Sequence, residues 1–174
     1  EEYRVEMFPL DYDEFRWALG DEVTMPLMQK MFDKRMSLGD GLNRQKMRDL
    51  RLYMLVGGMP QAINAYLETN NLQQVDVVKR QIVQLYADDF RKIDPTGRVS
   101  KLFMAIPSQL SQNWMRYKAS PVVGNVGSDK LEEMILCLED SKTVNLAYHA
   151  NDPNVGMSLN ADFGKFKLYV GDTG

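Results

Sequence analysis

The sequence of 174 residues is long enough for one ordinary domain or two small ones, and its 44% hydrophobic residues can form a real core. The formal net charge of -3 argues against a surface that attracts nucleic acid throughout, although local basic patches remain possible. A single cysteine excludes an intramolecular disulfide and any multi-cysteine metal site. Runs of about 18 apolar residues and signal peptides are both absent from the sequence. We therefore expect a soluble, cytoplasmic protein without a membrane partner.

The first half of the sequence predicts only helices, because apolar residues recur there at a spacing of three or four. Five helices are expected, covering about 11–20, 24–39, 47–56, 60–70 and 75–94. Asp11 and Glu14 resemble a capping box at the start of the first helix. The second helix carries methionines at positions 25, 28, 31 and 36. These methionines suit core filling, which we expect, or an adaptable docking groove.

The second half predicts helices followed by a hairpin. One helix is expected from about Val99 to Gln112, interrupted by Pro107, and another from Asp129 to Lys142, with Asp129 and Glu132 as a second capping box. Apolar residues then alternate at 144, 146 and 148 and again at 166, 168 and 170, with a long loop between them. This order is typical of a winged helix. The predicted fold is therefore mainly α, with a helical subdomain at 1–97 and a winged-helix-like subdomain with a β-hairpin at 98–174.

The most informative segment is YMLVGGMPQAINAY, residues 53–66. Gly57 and Gly58 end one helix without a Cβ penalty, and Pro60 presets φ for the first turn of the next. Three further segments are YADDFRK at 86–92, AIPSQLS at 105–111 and the closing KLYVGDTG. In this order, the four segments resemble the middle of the AAA-type P-loop ATPases of bacteria and archaea that carry a C-terminal domain of unknown function. The resemblance runs from about Pro9 to Gly174.

The resemblance implies that this chain is a non-catalytic part of a longer ATPase, and a start at Glu1 without methionine fits a segment of a longer protein. Residues 1–97 would be comparable to an ATPase lid, and residues 98–174 would link to a nuclease-like C-terminal domain. The ATPase core upstream, which would bind ATP and magnesium, and the C-terminal domain would be its partners. The resemblance supplies no catalytic, cofactor or metal residue here. Its interdomain contacts would be Gly57, Gly58, Pro60, Tyr86, Asp89 and Phe90.

Three short motifs resemble chemical sites, but a structural role explains each of them better. Residues 124–130 contain Gly and Lys, but their spacing is wrong for a phosphate-cradling loop. Cys137 lies on an apolar stripe, so we interpret it as a small hydrophobic residue rather than as a nucleophile activated by His149. The string Asp140-Ser141-Lys142 echoes a nuclease element, but it falls at a helix end without an acidic partner.

Basic residues support a rival function. One cluster contains Arg44, Lys46, Arg48 and Arg51, and a second contains Trp114, Arg116, Tyr117 and Lys118. Cations interleaved with aromatic rings suit phosphate contact and base stacking, whereas the first cluster also suits contact with an acidic neighbouring domain. The rival hypothesis is a stand-alone winged-helix adaptor that binds nucleic acid weakly or acts as a regulator. The acidic residues of the helix at 129–142 oppose it, because phosphates would repel them.

Overall fold

The computed structural model describes residue 3 and residues 5–152 and 160–174. In these residues the chain forms eight helices followed by two antiparallel strands. The elements are α1 Tyr12–Ala18, α2 Thr24–Asp33, α3 Asp40–Val56, α4 Pro60–Thr69, α5 Leu72–Ile93, α6 Arg98–Ser111, α7 Ser120–Val123, α8 Ser128–Asp140, β1 Val144–Ala150 and β2 Ala161–Val170. The predicted class, mainly α with a closing β-hairpin, is confirmed, and the winged-helix assignment stays a prediction.

The chain divides into two compact units. The first unit contains residues 1–82 and 172–174, and the second contains residues 83–171. The predicted boundary lies after α5, between residues 97 and 98, whereas the boundary between the two units of the structure falls within α5. The physical reason is that Phe90, in the last turns of α5, is 2% exposed and belongs to the core of the second unit.

The first unit contains α1 to α4 and the beginning of α5. Its core residues are Phe15, Val56, Ala62, Ile63 and Val75. The predicted capping box of α1 is confirmed, because Glu14 N donates to Asp11 Oδ1 and Asp11 N donates to Glu14 Oε2, each at 2.9 Å. The beginning of α1 is therefore fixed beside Phe15, which is fully buried.

Helix α2 is shorter than predicted. It ends at Asp33 rather than near Gly39, because Arg35 adopts a left-handed φ of 53°. The amide of Met36 then donates back to Met31 O at 2.9 Å, which closes the helix as a Schellman-type motif does. The methionines predicted for it do not fill the core, since Met36 lies beyond the helix and is 56% exposed, and the other three are only partly buried. The core-filling expectation is therefore wrong for this helix.

The second unit packs the end of α5, helices α6 to α8 and the hairpin around one core. Its largest fully buried side chains are Leu102, Ile106, Leu138 and Leu168. The hairpin pairs Val144 with Val170 and shifts register after Tyr148, which pairs with Phe166. The predicted loop between the strands falls largely on 153–159, outside the described residues.

Two helix details of the second unit differ from the sequence predictions. Helix α6 continues through Pro107, which lies inside it. Helix α8 begins at Ser128 after Gly127, and no side chain caps its first amides. Asp129 instead accepts a hydrogen bond from Ser128 Oγ at 3.0 Å, so the predicted capping box of Asp129 and Glu132 is wrong.

In the part of the chain that the structure describes, no helix combines the length and apolar character that crossing a membrane requires.

Candidate functional site

The Gly57-Gly58 pair forms the predicted break between α3 and α4. Gly57 has a φ of 85° and donates its amide to Tyr53 O at 2.7 Å, which ends α3. Met59 is extended, and Pro60 begins α4 in its first turn. Both glycines are buried, whereas Pro60 is exposed. The local structure predicted from the sequence is therefore confirmed at this point.

Two distant segments of the first unit meet at this break. Leu10 N donates to Gly58 O at 2.7 Å, and the Tyr53 hydroxyl donates to Leu10 O at 2.9 Å. On the other side, Gly58 N donates to Asp172 Oδ1 at 2.6 Å. We call this set the glycine junction: residues 9–10, Tyr53, Gly57, Gly58 and residues 172–174. It joins the start, the middle and the end of the described chain within one unit.

The glycine junction requires glycine at both positions because backbone atoms fill the space of a side chain. A Cβ on Gly58 would collide with Leu10 O and lie 2.9 Å from Leu10 N. A Cβ on Gly57 would lie 2.6 Å from Gly174 Cα and 2.5 Å from Asp172 Oδ2. Only a residue without a side chain permits this approach.

The phenol of Tyr53 is held as a neutral donor in the junction. Burial raises its pKa above the ordinary value, and the negative charges of Asp172, Asp11 and Glu14 raise it further. Its ring also packs against Phe15, with centroids 5.4 Å apart. Tyr53 therefore fastens the segment before α1 to the end of α3.

A second feature of the first unit is a charged cluster of Arg16, Asp21, Lys46 and Asp49, with Thr24 beside it. Arg16 Nη2 lies 2.5 Å from Asp21 Oδ2, and Arg16 Nη1 lies 3.3 Å from Asp49 Oδ2. Lys46 Nζ lies 3.3 Å from Asp49 Oδ2 and donates to Thr24 Oγ1 at 2.9 Å. Two cations thus balance two carboxylates in a partly buried site, which suits a structural role.

The charged cluster keeps the carboxylate of Asp21 ionised. A hydrogen bond from Arg16 and one from Thr24 keep the pKa of Asp21 well below its usual range. In α1, the described residues provide no hydrogen-bond partner for three buried atoms, Tyr12 Oη, Asp13 Oδ1 and Arg16 Nε. The burial of Asp13 raises the pKa of that carboxyl.

This cluster changes the interpretation of the first basic group. Lys46 is buried and contacts Asp49 and Thr24, so it is unavailable for phosphate contact. Arg44, Arg48 and Arg51 remain exposed on the opposite side of α3.

The three candidate contact residues of α5 are placed differently from one another. Tyr86 and Phe90 pack on Phe103 of α6, with ring centroids 6.0 and 5.4 Å away. Asp89 is exposed and pairs with Lys92 at 2.7 Å, which is a surface ion pair. Tyr86 and Phe90 thus anchor α5 in the second unit, and Asp89 does not.

The second basic group is only partly available to a ligand. Tyr117 is 7% exposed, its hydroxyl donates to Leu102 O at 2.8 Å, and burial raises its pKa. Its proposed role in base stacking is therefore wrong. Lys118 Nζ lies 3.9 Å from the centre of the Trp114 ring, a cation–π contact. Arg116 is exposed and lines a shallow depression with Trp114 and Lys167.

The described residues provide no cluster of metal-ligating side chains. They contain no group of three His, Cys, Asp or Glu side chains that could hold a metal ion. Burial and the negative charge of Asp140 raise the pKa of Cys137, which keeps the thiol protonated and opposes nucleophilic use. His149 lies exposed in β1, where it pairs with Asp162 in the strand register.

The sequence pattern predicts neither the role of Asp172 nor the charged cluster. The closing segment was singled out as a motif, yet nothing in its pattern shows that Asp172 accepts a hydrogen bond from a residue 114 positions earlier. The i,i+3 spacing of Lys46 and Asp49 was available as a signal, since such residues are neighbours on a helix.

Comparison with known proteins identifies one family. The model of a domain of unknown function, DUF8612, matches residues 47–174 of this chain. No curated protein and no solved structure matches the chain significantly.

Proposed function

The chain belongs to the DUF8612 family, and we propose that it is a non-catalytic connecting module of an AAA-type P-loop ATPase. In this proposal the first unit acts as a lid beside an upstream ATPase core. The second unit, with a winged-helix-like arrangement of α6 to α8 and the hairpin, leads to a C-terminal domain. ATP and magnesium would bind the upstream core, and the protein would be cytoplasmic. The single cysteine supports a reducing compartment.

The glycine junction is the observation that carries the proposal. Two of the segments that resemble the ATPase family, the Gly57-Gly58 break and the closing residues 172–174, are in direct contact there. Leu10 N also donates a hydrogen bond to Gly58 O. A chain entering before residue 9 and a chain leaving after residue 174 would therefore be fastened at one point, which suits a module that transmits a change between neighbouring domains.

Two measurements test the proposal. First, the complete coding sequence should contain an in-frame G-x-x-x-x-G-K-[ST] string upstream of residue 1, because the phosphates need that loop. Second, residues 1–174 alone should give no heat on titration with magnesium-ATP, since they contain no phosphate-cradling loop. A coding sequence without the loop, or a saturable micromolar heat, would contradict the proposal.

In the intact protein the junction is tested by changing Asp172. Asp172→Ala removes the acceptor of the Gly58 amide, whereas Thr173→Ala changes an exposed neighbour and serves as the control. We expect Asp172→Ala to lower the kcat of ATP hydrolysis several-fold without a matching change in KM, since the nucleotide pocket lies elsewhere. Equal rates for the two variants would argue against coupling through the junction.

A second candidate function is a winged-helix adaptor that binds nucleic acid weakly. The specific observation in its favour is the depression lined by Trp114, Arg116 and Lys167, with Lys118 on the indole face. Three cations around one aromatic ring can contact a phosphate backbone. Because Tyr117 is buried, Trp114 would be the ring in this group that a base could reach.

A further inference from the structure

Helix α3 has an outer face that combines arginine with large apolar side chains. The face contains Arg44, Met47, Arg48, Arg51, Met54 and Leu55, all of them exposed. Since a helix turns by about 100° per residue, these six positions fall within an arc of roughly 120°. Lys46 and Val56, which are buried, lie on the other side. We call this set the α3 outer face.

The apolar residues of this face are more exposed than apolar residues that a helix packs into a protein core. Met47 is 42% exposed, Met54 53% and Leu55 55%. Scattered apolar residues on a surface need no explanation, but Met47 and Met54 form an apolar stripe at i, i+7, and Leu55 lies on the same face. Such a stripe gains free energy when an apolar surface covers it.

The arginines of the face lack carboxylate partners. Across the described ranges, no ion pair within 4.0 Å involves Arg44, Arg48 or Arg51, although the chain carries 24 acidic residues. Arg44 Nε donates only to the backbone oxygen of Asp40, at 3.2 Å. At the other end of the stripe, Lys79 Nζ donates to Leu55 O at 2.7 Å, which adds a fourth cation. The face therefore has a positive charge that the described chain leaves uncompensated.

We propose that the α3 outer face is a docking surface for an acidic amphipathic helix of another protein or domain. Arginine and methionine are enriched at protein interfaces, where a guanidinium can bind a carboxylate through two hydrogen bonds. A partner helix with apolar residues at i, i+4 and i+7 and glutamates beside them would cover the apolar stripe and pair with the arginines. A nucleic acid fits less well, because the face has no aromatic ring for base stacking and phosphates would leave Met47, Met54 and Leu55 uncovered. This inference is independent of the proposed connection to an ATPase.

The probe is a synthetic, fluorescein-labelled peptide of about 16 residues, long enough to form a helix, with leucines at the stated spacing and glutamates flanking them. A lysine version of the peptide and a single-stranded oligonucleotide serve as the comparison ligands. Fluorescence anisotropy with residues 1–174 measures each Kd. We expect saturable, salt-sensitive binding of the acidic peptide alone.

Two double variants separate charge from apolar contact. Arg48→Glu with Arg51→Glu should weaken binding of the acidic peptide by at least about tenfold, and Met47→Ser with Met54→Ser by a similar factor, because both components lie in the contact. The matched control, Lys101→Glu with Lys130→Glu, changes exposed lysines of α6 and α8 and should change the Kd less than about twofold. Circular dichroism confirms that each variant is folded.

Three results would overturn the inference. The first is no saturable binding of the acidic peptide up to about 1 mM. The second is equal weakening by the control variant, which would show nonspecific attraction. The third is binding of the oligonucleotide in its place, lost with the arginines but kept when Met47 and Met54 are changed, which would identify the face as a nucleic-acid surface.

Discussion

Gly58 is constrained by its surroundings rather than by its own backbone angles. Among the two glycines, only Gly57 has a positive φ. At Gly58, the carbonyl oxygen accepts from Leu10 N and the amide donates to Asp172 Oδ1. The Leu10 backbone occupies the space that a side chain would need. The sequence predicted that the break needs glycine, but it did not distinguish these two reasons.

We predict that Gly58→Ala lowers the free energy of unfolding by about 1–3 kcal/mol, because the new methyl group displaces backbone atoms that are held by hydrogen bonds. Gly41→Ala is the matched control. A Cβ on Gly41 meets nothing within 4 Å, and Gly41 lies inside α3, where alanine is favoured by roughly 0.5–1 kcal/mol. Urea unfolding followed by circular dichroism measures both. An unchanged midpoint for Gly58→Ala would show that the glycine junction relaxes freely.

The charged cluster separates Lys46 from three arginines that lie close to it in the sequence. Four basic residues at 44, 46, 48 and 51 read as one surface group in the sequence. On a helix, however, position 46 lies about 165° from the mean direction of 44, 48 and 51, so Lys46 faces inward while the arginines face outward. The helical geometry predicts this split, but the partners of Lys46, Asp21 and Thr24, belong to another segment and could not be predicted from it.

At the scale of the elements, the apolar periodicity predicted the helices and the hairpin, because burial of one face decides both. Helix ends were less predictable. Arg35 takes a left-handed φ that favours glycine, although Gly39 was available nearby. Helix α8 begins without a side-chain cap even though Asp129 and Glu132 have capping-box spacing. Local hydrogen-bond competition, which the sequence pattern does not specify, decides such ends.

Asp94 accepts hydrogen bonds from the first backbone amides of α6. We predict that the stability of the protein depends on pH through this carboxylate. The carboxylate accepts from Arg98 N at 2.8 Å and from Val99 N at 3.0 Å. Burial raises the pKa of Asp94, but hydrogen bonds from Thr96 and from these amides outweigh burial and lower it overall. Because the folded pKa lies below the unfolded value of about 3.9, this stabilisation is present above about pH 4 and is lost as the pH falls further.

Two variants of Asp94 separate the charge from the acceptor. Asp94→Ala should lower the free energy of unfolding at pH 7 by about 1–2 kcal/mol, because α6 loses its acceptor. Asp94→Asn keeps an acceptor, so it should cost less at pH 7 and flatten the loss of stability between about pH 4 and pH 2. Glu133→Gln, at an exposed position of α8, is the control. Acid profiles of Asp94→Asn and the unchanged chain that run parallel would refute this assignment.

At the scale of the whole molecule, no local pattern in the sequence indicates that residues 172–174 return to the first unit. The strand pattern ends at Val170, and the hydrogen bond from Gly58 to Asp172 spans 114 positions. Similarly, the pattern of α5 is continuous, so it does not reveal that Val75 and Phe90 pack into different cores. Long-range contacts of this kind depend on the tertiary arrangement and not on local periodicity.

The adaptor hypothesis makes a prediction for the chain as a whole, which carries a net charge of -3. If nucleic acid binds at Trp114, Arg116 and Lys118, its binding should be weak and largely independent of sequence, since so few cations displace only a few counterions. Arg116→Ala with Lys118→Ala should then lower the slope of log K against log salt by roughly two or less, with the fold unchanged. The control, Lys101→Ala with Lys130→Ala, removes the same charge from other exposed positions.

Fluorescence anisotropy with a labelled duplex and a labelled single strand at low salt provides the measurement. Lys118 occupies the face of the Trp114 ring, so a base can stack there only after the ammonium moves away. A single strand should therefore bind more tightly to Lys118→Ala than to Arg116→Ala if stacking matters, because only the first change frees the ring. If neither oligonucleotide changes the anisotropy at high protein concentration, the adaptor hypothesis fails, and the Trp114–Lys118 pair is a packing contact of the second unit.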